Sequence, residues 1–388
     1  MNAPTVDLVW FNAGGGHRAA AEALERAIAA QGWQWTVRKV NLTAVLDPTA
    51  QCRRLLGLEP EDFYNLRLST GFTLGLAQEL RLLQALIRAS HSGLVQRLRR
   101  HWQATRPDMV VSLIPNFNRA LHDSLALANP AAPFVTVMTD MADHPPAFWA
   151  EPGTRQHLVC GTPHAHRQAV AAGLPASRVH LVGGMLLRPA FHQPAVTDRA
   201  ADRSAAGLDA STPTGLVLFG GAGSRVMRRI AHSLPDTPLI LLCGRNAALV
   251  EALRAMRAPA PRVVLGHTRD VARWMRMADF FIGKPGPGSL SEAVHMGLPV
   301  VVTRNSWTMP QERWNTDWVR EHGLGVVHKS FRTVGEAARE LVQRLPELQA
   351  NTRQMRNRAA LELPHVLQRI LLSAPSWQRP AQGAASCA

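Results

Sequence analysis

Two strand–glycine–helix junctions carry the residues whose types and spacing could do chemistry. The richer one is Ile282–Gly297, Ile-Gly-Lys-Pro-Gly-Pro-Gly-Ser-Leu-Ser-Glu-Ala-Val-His-Met-Gly. The apolar run Phe280–Ile282 reads as the end of a buried strand, the next six residues hold three glycines and two prolines, and a helical pattern opens at Ser289. Such a junction is an anion site, because free backbone N–H groups and the helix dipole converge on one spot. Gly286 and Gly288 have no Cβ, so a phosphate can approach the main chain closely. Glu292 stands one turn into the helix, within reach of a ribose hydroxyl pair. A glycine turn alone is ordinary punctuation. The apolar strand Leu298–Val302 follows, however, and then Gln311-Glu312-x-x-Asn315, a neutral and acidic set suited to bonding sugar hydroxyls.

The other junction is near the N-terminus. The apolar run Val6–Asn12 leads into Ala13-Gly14-Gly15-Gly16-His17, and a helical pattern follows over Ala19–Ala30. It is not Gly-x-Gly-x-x-Gly with a downstream acid, so it fits a dinucleotide fingerprint poorly. His17, at the mouth of the turn, can accept a proton near neutral pH or serve only as a helix-terminal cap. A third set, Thr139-Asp140-Met141-Ala142-Asp143-His144-Pro145, closes the strand Phe134–Thr139, the edge where α/β folds place chemistry. Asp140 or Asp143 orients His17 or binds a second substrate, or else each is an N-cap or an ion-pair partner. A further glycine turn, Gly220-Gly221-Ala222-Gly223-Ser224, follows the strand Gly215–Phe219, with Arg225 and Arg228 beside it. Gly266-His267-Thr268 follows the strand Arg262–Leu265.

The elements that must position these residues alternate strand and helix through both halves of the chain, the pattern of parallel α/β sheets. With 388 residues and 46% hydrophobic content the chain can fill two cores. Residues 1–192 form the first domain, 193–213 a Pro/Ala/Asp/Thr-rich linker, 214–372 the second domain, and 373–388 a tail whose composition reads as disordered. The final helical pattern, Leu348–Leu372, contains Pro364.

Lys+Arg number 43 against 28 Asp+Glu, a net charge of +15, and only Lys39, Lys284 and Lys329 are lysine. An arginine excess of this kind is either genome composition or attraction to an anionic surface. It concentrates in Leu80–Pro107, which has six arginines, Arg81 and Arg88 among them, no carboxylate, and leucines at helical spacing. That stretch is a membrane-surface helix or a core-facing helix with a solvated basic side. The cysteines, 52, 160, 243 and 387, have neither metal nor disulfide-framework spacing, which fits a reducing cytoplasm. No signal-peptide pattern precedes the first strand, and no apolar run approaches the ~20 residues of a spanning helix, so membrane contact is expected to be peripheral.

Gly-Lys-Pro-Gly-Pro-Gly-Ser-Leu-Ser-Glu-Ala, Gly-Leu-Pro-Val-Val, Pro-Gln-Glu-x-x-Asn and Gly-Leu-Gly-Val occur in one order at close spacing. Together they resemble the donor half of the UDP-sugar transferases that include the monogalactosyldiacylglycerol synthases, the bacterial diacylglycerol glucosyltransferases and, more distantly, the GlcNAc transferase that forms peptidoglycan lipid II. Gly-Gly-Gly-His-Arg-x-Ala near the N-terminus is shared with them. The Thr-Asp…His-Pro segment has one residue fewer before His144 and inverts the following aromatic pair, Phe148-Trp149. Gly183-Gly184-x-x-x-Arg188-Pro189-x-Phe191 is a partial match, with Arg188 a phosphate-side charge or a hinge contact.

The resemblance implies a GT-B fold, two Rossmann-like domains facing across a cleft, with the last helix crossing back to the first. It implies a UDP-hexose donor held by Gly221, Gly223, Gly286, Gly288 and Ser289 at the diphosphate, Glu292 at the ribose, His267 at the uracil, and Gln311, Glu312 and Asn315 at the sugar. His17 would be the base, with Asp140 and Asp143 beside it. Gly15, Gly16, His144, Arg81 and Arg88 would serve the lipid acceptor, most readily diacylglycerol, and an anionic membrane on the cytoplasmic face. The expected reaction inverts the anomeric carbon and needs no cofactor or metal; there is no Asp-x-Asp motif, and no nucleic-acid partner is expected. The alternatives are a UDP-GlcNAc 2-epimerase on the same fold and a non-catalytic basic membrane-binding protein.

Overall fold

The computed structural model describes residues 3–11, 16–47, 76–145, 148–194 and 198–375, with the side chains of 76–80 outside the description. Gly15 and the tail from residue 376 lie outside it too. Two compact units emerge. One comprises 1–61, 78–186 and 358–388, and the other 62–77 and 187–357.

The first unit holds a six-stranded parallel sheet of β1 (Thr5–Trp10), β2 (Thr36–Asn41), β3 (Met109–Ser112), β4 (Phe134–Val137), β5 (His157–Cys160) and β6 (Val179–Leu181). Their spatial order is β2-β1-β3-β4-β5-β6. β3 and β4 are buried at every residue, which is why they read as unbroken apolar runs rather than alternations. β2 is the edge, carries Arg38 and Lys39, and has no buried residue. Asp7, fully buried on β1, is tolerated because Arg38 on the neighbouring strand pairs with it at 2.6 Å. The helix Gly16–Ala29 packs Ala20, Leu24 and Ile28 on the sheet beside Leu363, Val366, Leu367 and Ile370 of the last helix, Ala359–Ser373.

The Arg-rich stretch divides. Helix His91–Thr105 turns Val95, Leu98 and Trp102 into the core, whereas helix Leu76–Ala89 leaves Leu82, Leu83 and Leu86 in solvent. The core-facing reading holds for the second helix, and the first presents its leucines outward.

The second unit repeats the plan with β7 (Gly215–Leu218), β8 (Leu239–Leu242), β9 (Arg262–Leu265), β10 (Phe280–Gly283), β11 (Val300–Thr303) and β12 (Gly325–His328). The order is β12-β11-β10-β7-β8-β9, all parallel. Gly283 lies in register with Leu218, and a Cβ on it would come within 2.6 Å of the Leu218 carbonyl oxygen; the close approach of these strands needs a glycine there. A short helix, Arg199–Ala205, occupies part of 193–213, and its Arg203 is buried against Asp279 at 3.0 Å.

In each sheet, connectivity runs outward in both directions from one pair of neighbours: β1 and β3 in the first, β7 and β10 in the second. The crevice at the carboxyl ends of such a pair is where parallel α/β sheets bind ligands, because the chains leave it in opposite directions. Both chemistry-bearing junctions of the sequence lie at these switch points.

Candidate active site

At the switch point of the first unit, helix Gly16–Ala29 brings His17 from the end of β1 to the residue that follows β3. His17 Nδ1 lies 2.7 Å from the Leu113 carbonyl oxygen and 3.2 Å from Thr139 Oγ1. A carbonyl can only accept, so Nδ1 carries the proton and Nε2 presents its lone pair. The ring packs at 4.8 Å from Phe11 and 6.4 Å from Trp149, centroid to centroid. This burial disfavours the imidazolium and lowers the His17 pKa to about 4, so the ring is neutral at physiological pH.

The two aspartates are engaged in other work. Asp140 Oδ2 accepts the Trp149 indole N–H at 3.0 Å and so fixes the ring that walls His17. Asp143 is buried, and its carboxylate accepts the backbone N–H groups of Phe148, Trp149 and Ala150. Burial pushes its pKa up to about 6 against the pull of those donors. The inverted aromatic pair thus supplies the indole that Asp140 holds. His144 is exposed. Gly16 opens the helix with open space where a Cβ would stand.

At the switch point of the second unit the helix runs Pro287–His295, two residues earlier than the pattern suggested, because proline is at home at the first helical position. Gly286 is its N-cap, with no side-chain cap. The N–H groups of Gly288 and Ser289 stand in the first turn, where no helical carbonyl precedes them. Gly288 is exposed with open space around it. Gly286 is buried, and a Cβ there would press Lys284 at 3.2 Å and Glu312 at 3.3 Å.

Gln311, Glu312 and Asn315 are all buried, the last two in contact with this loop. Asn315 Nδ2 donates to the Pro285 carbonyl at 2.7 Å and holds the turn. Its Oδ1, like Gln311 Oε1, is buried without a hydrogen-bond partner. Unsatisfied buried acceptors are rare and call for a donor such as a ligand hydroxyl or a water. Glu312 pairs with Lys284 at 2.8 Å, a partner the spacing did not disclose. Glu292 is mostly buried and meets Arg188 at 3.4 Å; desolvation raises its pKa to about 7 against that arginine's pull.

In the turn after β7, Gly221 is exposed with free space where a side chain would be. Gly223 has φ +65°, and a Cβ would meet the Cys243 carbonyl oxygen at 2.5 Å, so its freedom serves packing. His267 is exposed at the end of β9. Arg81 and Arg88 are exposed on helix Leu76–Ala89. Among the described residues no group of three or more His, Cys, Asp or Glu could hold a metal ion, and no helix is long and apolar enough to cross a membrane.

Residues 17–184 match the family model for monogalactosyldiacylglycerol (MGDG) synthase. A probable monogalactosyldiacylglycerol synthase 2 of Oryza sativa subsp. japonica is 30% identical over 257 residues, 61% of this chain and 51% of that protein. A probable monogalactosyldiacylglycerol synthase of Glycine max is 27% identical over 360 residues, 86% of this chain and 64% of that protein. The chain thus spans about half the length of the first of these relatives. The resemblance carried by the glycine-rich motifs is borne out: the chain is related to the MGDG synthases. Among solved structures, the glycosyltransferase SnogD from Streptomyces nogalater superposes with a TM-score of 0.61 at 18% identity, covering 95% of this chain and 100% of that one. The UDP-GlcNAc 2-epimerase from Neisseria meningitidis, bound to UDP-GlcNAc, gives 0.58 at 13% identity, covering 95% and 99%. At such identities the likeness speaks of fold alone, and the fold is GT-B, built of two Rossmann-like units. A transferase and an epimerase share it, so function must be argued from the sites.

Proposed function

We propose that this chain is an inverting glycosyltransferase that moves a hexose from a UDP-sugar to a lipid hydroxyl, diacylglycerol being the acceptor the relatives' names favour. The observation that carries the reading is the Pro287–His295 helix start. Two amide donors there, Gly288 and Ser289, open the helix, and the turn before it is held by Asn315, whose Oδ1, like Gln311 Oε1, is buried without a partner. Amides and a helix dipole suit a diphosphate, and the acceptors suit sugar hydroxyl donors. Glu292 takes the ribose hydroxyls, His267 and its neighbours lie by the uracil, and Gly221 and Gly223 shape the turn beneath the diphosphate. Charge building on the departing UDP is met by these main-chain donors, so the reaction needs neither metal nor cofactor.

His17 Nε2 takes the proton of the acceptor hydroxyl, which attacks the anomeric carbon opposite the leaving diphosphate. Asp140 and Asp143 support this base indirectly, through Trp149 and its loop, while Gly15, Gly16 and His144 belong to the acceptor side. The exposed Leu82 and Leu86, 62% and 56% accessible, flanked by Arg81 and Arg88, suit peripheral contact with an anionic membrane.

The test is incubation of the full chain with radiolabelled UDP-galactose, UDP-glucose or UDP-GlcNAc and diacylglycerol in anionic vesicles. Label is expected in the lipid extract, unchanged by EDTA. Epimerised UDP-GlcNAc in the absence of any acceptor would instead support the epimerase, and no turnover with any donor would sink the enzyme reading. Raised salt is expected to release the protein from the vesicles; indifference to salt leaves the arginine excess as genome composition.

A further inference from the structure

The segment directly after residue 186, where the chain enters the longer stretch of the second unit, folds onto the C-terminal half of the Pro287–His295 helix. Arg188 reaches Glu292, His192 packs its ring 4.7 Å from that of His295, and the Ala190 carbonyl accepts from Arg276 at 3.2 Å. Arg188 itself is cradled by Phe191, its guanidinium 5.1 Å from the ring centroid.

We infer that Arg188 is a positioning residue for the nucleotide: through its ion pair it aims Glu292 and favours its ionised form, so that a ribose diol meets a carboxylate more often than a neutral acid. This rests on the reading of Glu292 as the ribose contact. The physical case begins with burial. The Glu292 side chain is 16% accessible, and an isolated carboxylate at such a site gives up its charge. Two ribose O–H groups are donors, and a carboxylate offers two acceptors, whereas the protonated acid keeps a proton that competes for the same site.

The groups around Glu292 leave this task to Arg188. On the same helix His295 is one turn away, and both it and His192 are held below the usual histidine range by burial, hence neutral near pH 7. From the glycine loop, Lys284 is engaged with Glu312. Arg188 comes from the packed segment, is 30% accessible, and both its charge and its hydrogen bond lower the Glu292 pKa. Without it, the pKa rises further above about 7. Such an arrangement has a second consequence. The residue that decides whether the ribose contact is charged belongs to the stretch where the chain passes from one unit to the next, not to the nucleotide loop.

The experiment is calorimetric or NMR titration of the full chain with UDP and, separately, with uridine, between about pH 6 and 9. Wild type, Arg188→Met, Arg188→Lys, Glu292→Gln and the Arg188→Met/Glu292→Gln double variant are compared. Arg188→Met is expected to weaken both ligands on the order of tenfold at pH 7 and to regain affinity as pH rises toward 9. Arg188→Lys should recover most of the loss, and the double variant should be no weaker than Glu292→Gln alone.

Loss for UDP but not for uridine would overturn the inference in favour of a direct phosphate contact. A pH-independent loss that adds to that of Glu292→Gln would overturn it in favour of packing. If wild-type protein binds neither UDP nor uridine, the donor-site reading itself falls, a result separate from any behaviour of the Arg188 variants.

Discussion

The two switch points use the same local grammar of buried strand, glycine turn and helix start, and arrive at opposite electrostatics. At His17 the partners are a carbonyl, a hydroxyl and aromatic walls, while the nearby carboxylates are spent on Trp149 and on the backbone of its loop. The result is a neutral imidazole with its proton on the inner nitrogen. At Pro287–His295 the partners are backbone N–H groups and two ion pairs that reach in from elsewhere in the unit, Arg188–Glu292 and Lys284–Glu312. The result is a concentration of donors with two carboxylates, each paired to a cation, at its rim. A glycine turn by itself therefore says that a backbone comes close to something, and the side chains brought to it decide whether that something gives up a proton or carries negative charge.

The sharpest way to break this comparison is to remove the proposed base. His17→Ala is expected to cut turnover by about 10²–10⁴-fold, the usual worth of a general base, while UDP binding stays within a factor of about two. Retained turnover, or a parallel loss of UDP affinity, would erase the division of labour between the two sites. A smaller effect is expected on the other side. Glu312→Ala should weaken the UDP-sugar roughly tenfold and UDP itself less, measured by competition titration. It also frees Lys284, so Lys284→Met should reproduce part of the loss; equal weakening of sugar nucleotide and UDP would contradict a sugar contact at Glu312.

What was legible in the sequence is what depends on neighbours in the chain. Strand β7 begins where its apolar run begins, because a strand buried at every residue has no solvent face to blur the pattern, and the half-buried β9 falls on its expected bounds. The helix start near Ser289 was readable to within two residues from its prolines and glycines. The partners were not legible, for each joins residues far apart: His17 with Leu113, Arg188 with Glu292, Lys284 with Glu312. Nor did periodicity separate the exposed leucines of Leu76–Ala89 from the buried face of His91–Thr105, since both helices carry the same basic amphipathic pattern. Trp149 could have been suspected, because an inverted aromatic pair beside two aspartates is a place where an indole N–H finds an acceptor, but only the fold shows that it walls the histidine.

The mildest test uses pH alone and leaves every side chain in place. His17, lowered to about 4, is a free base at any pH well above that value, so turnover at saturating donor should stay flat through neutrality and fall only in acid. An ordinary histidine would show its limb near pH 6.5. Glu292, raised to about 7, loses its charge as pH falls through that value, so KM for the UDP-sugar should climb by a few-fold between about pH 8 and 6.5 while kcat holds. Asp143, at about 6, titrates just below this window, and protonation there would loosen the Phe148–Ala150 backbone that carries Trp149. Asp143→Asn separates the two: a KM limb that survives the substitution belongs to Glu292, and a kcat limb that appears only in wild type belongs to the loop. If kcat and KM instead move together with one midpoint near 6.5, then His17 is solvated like a surface histidine, and the contrast between a neutral proton-accepting site and a charged nucleotide-binding site does not exist.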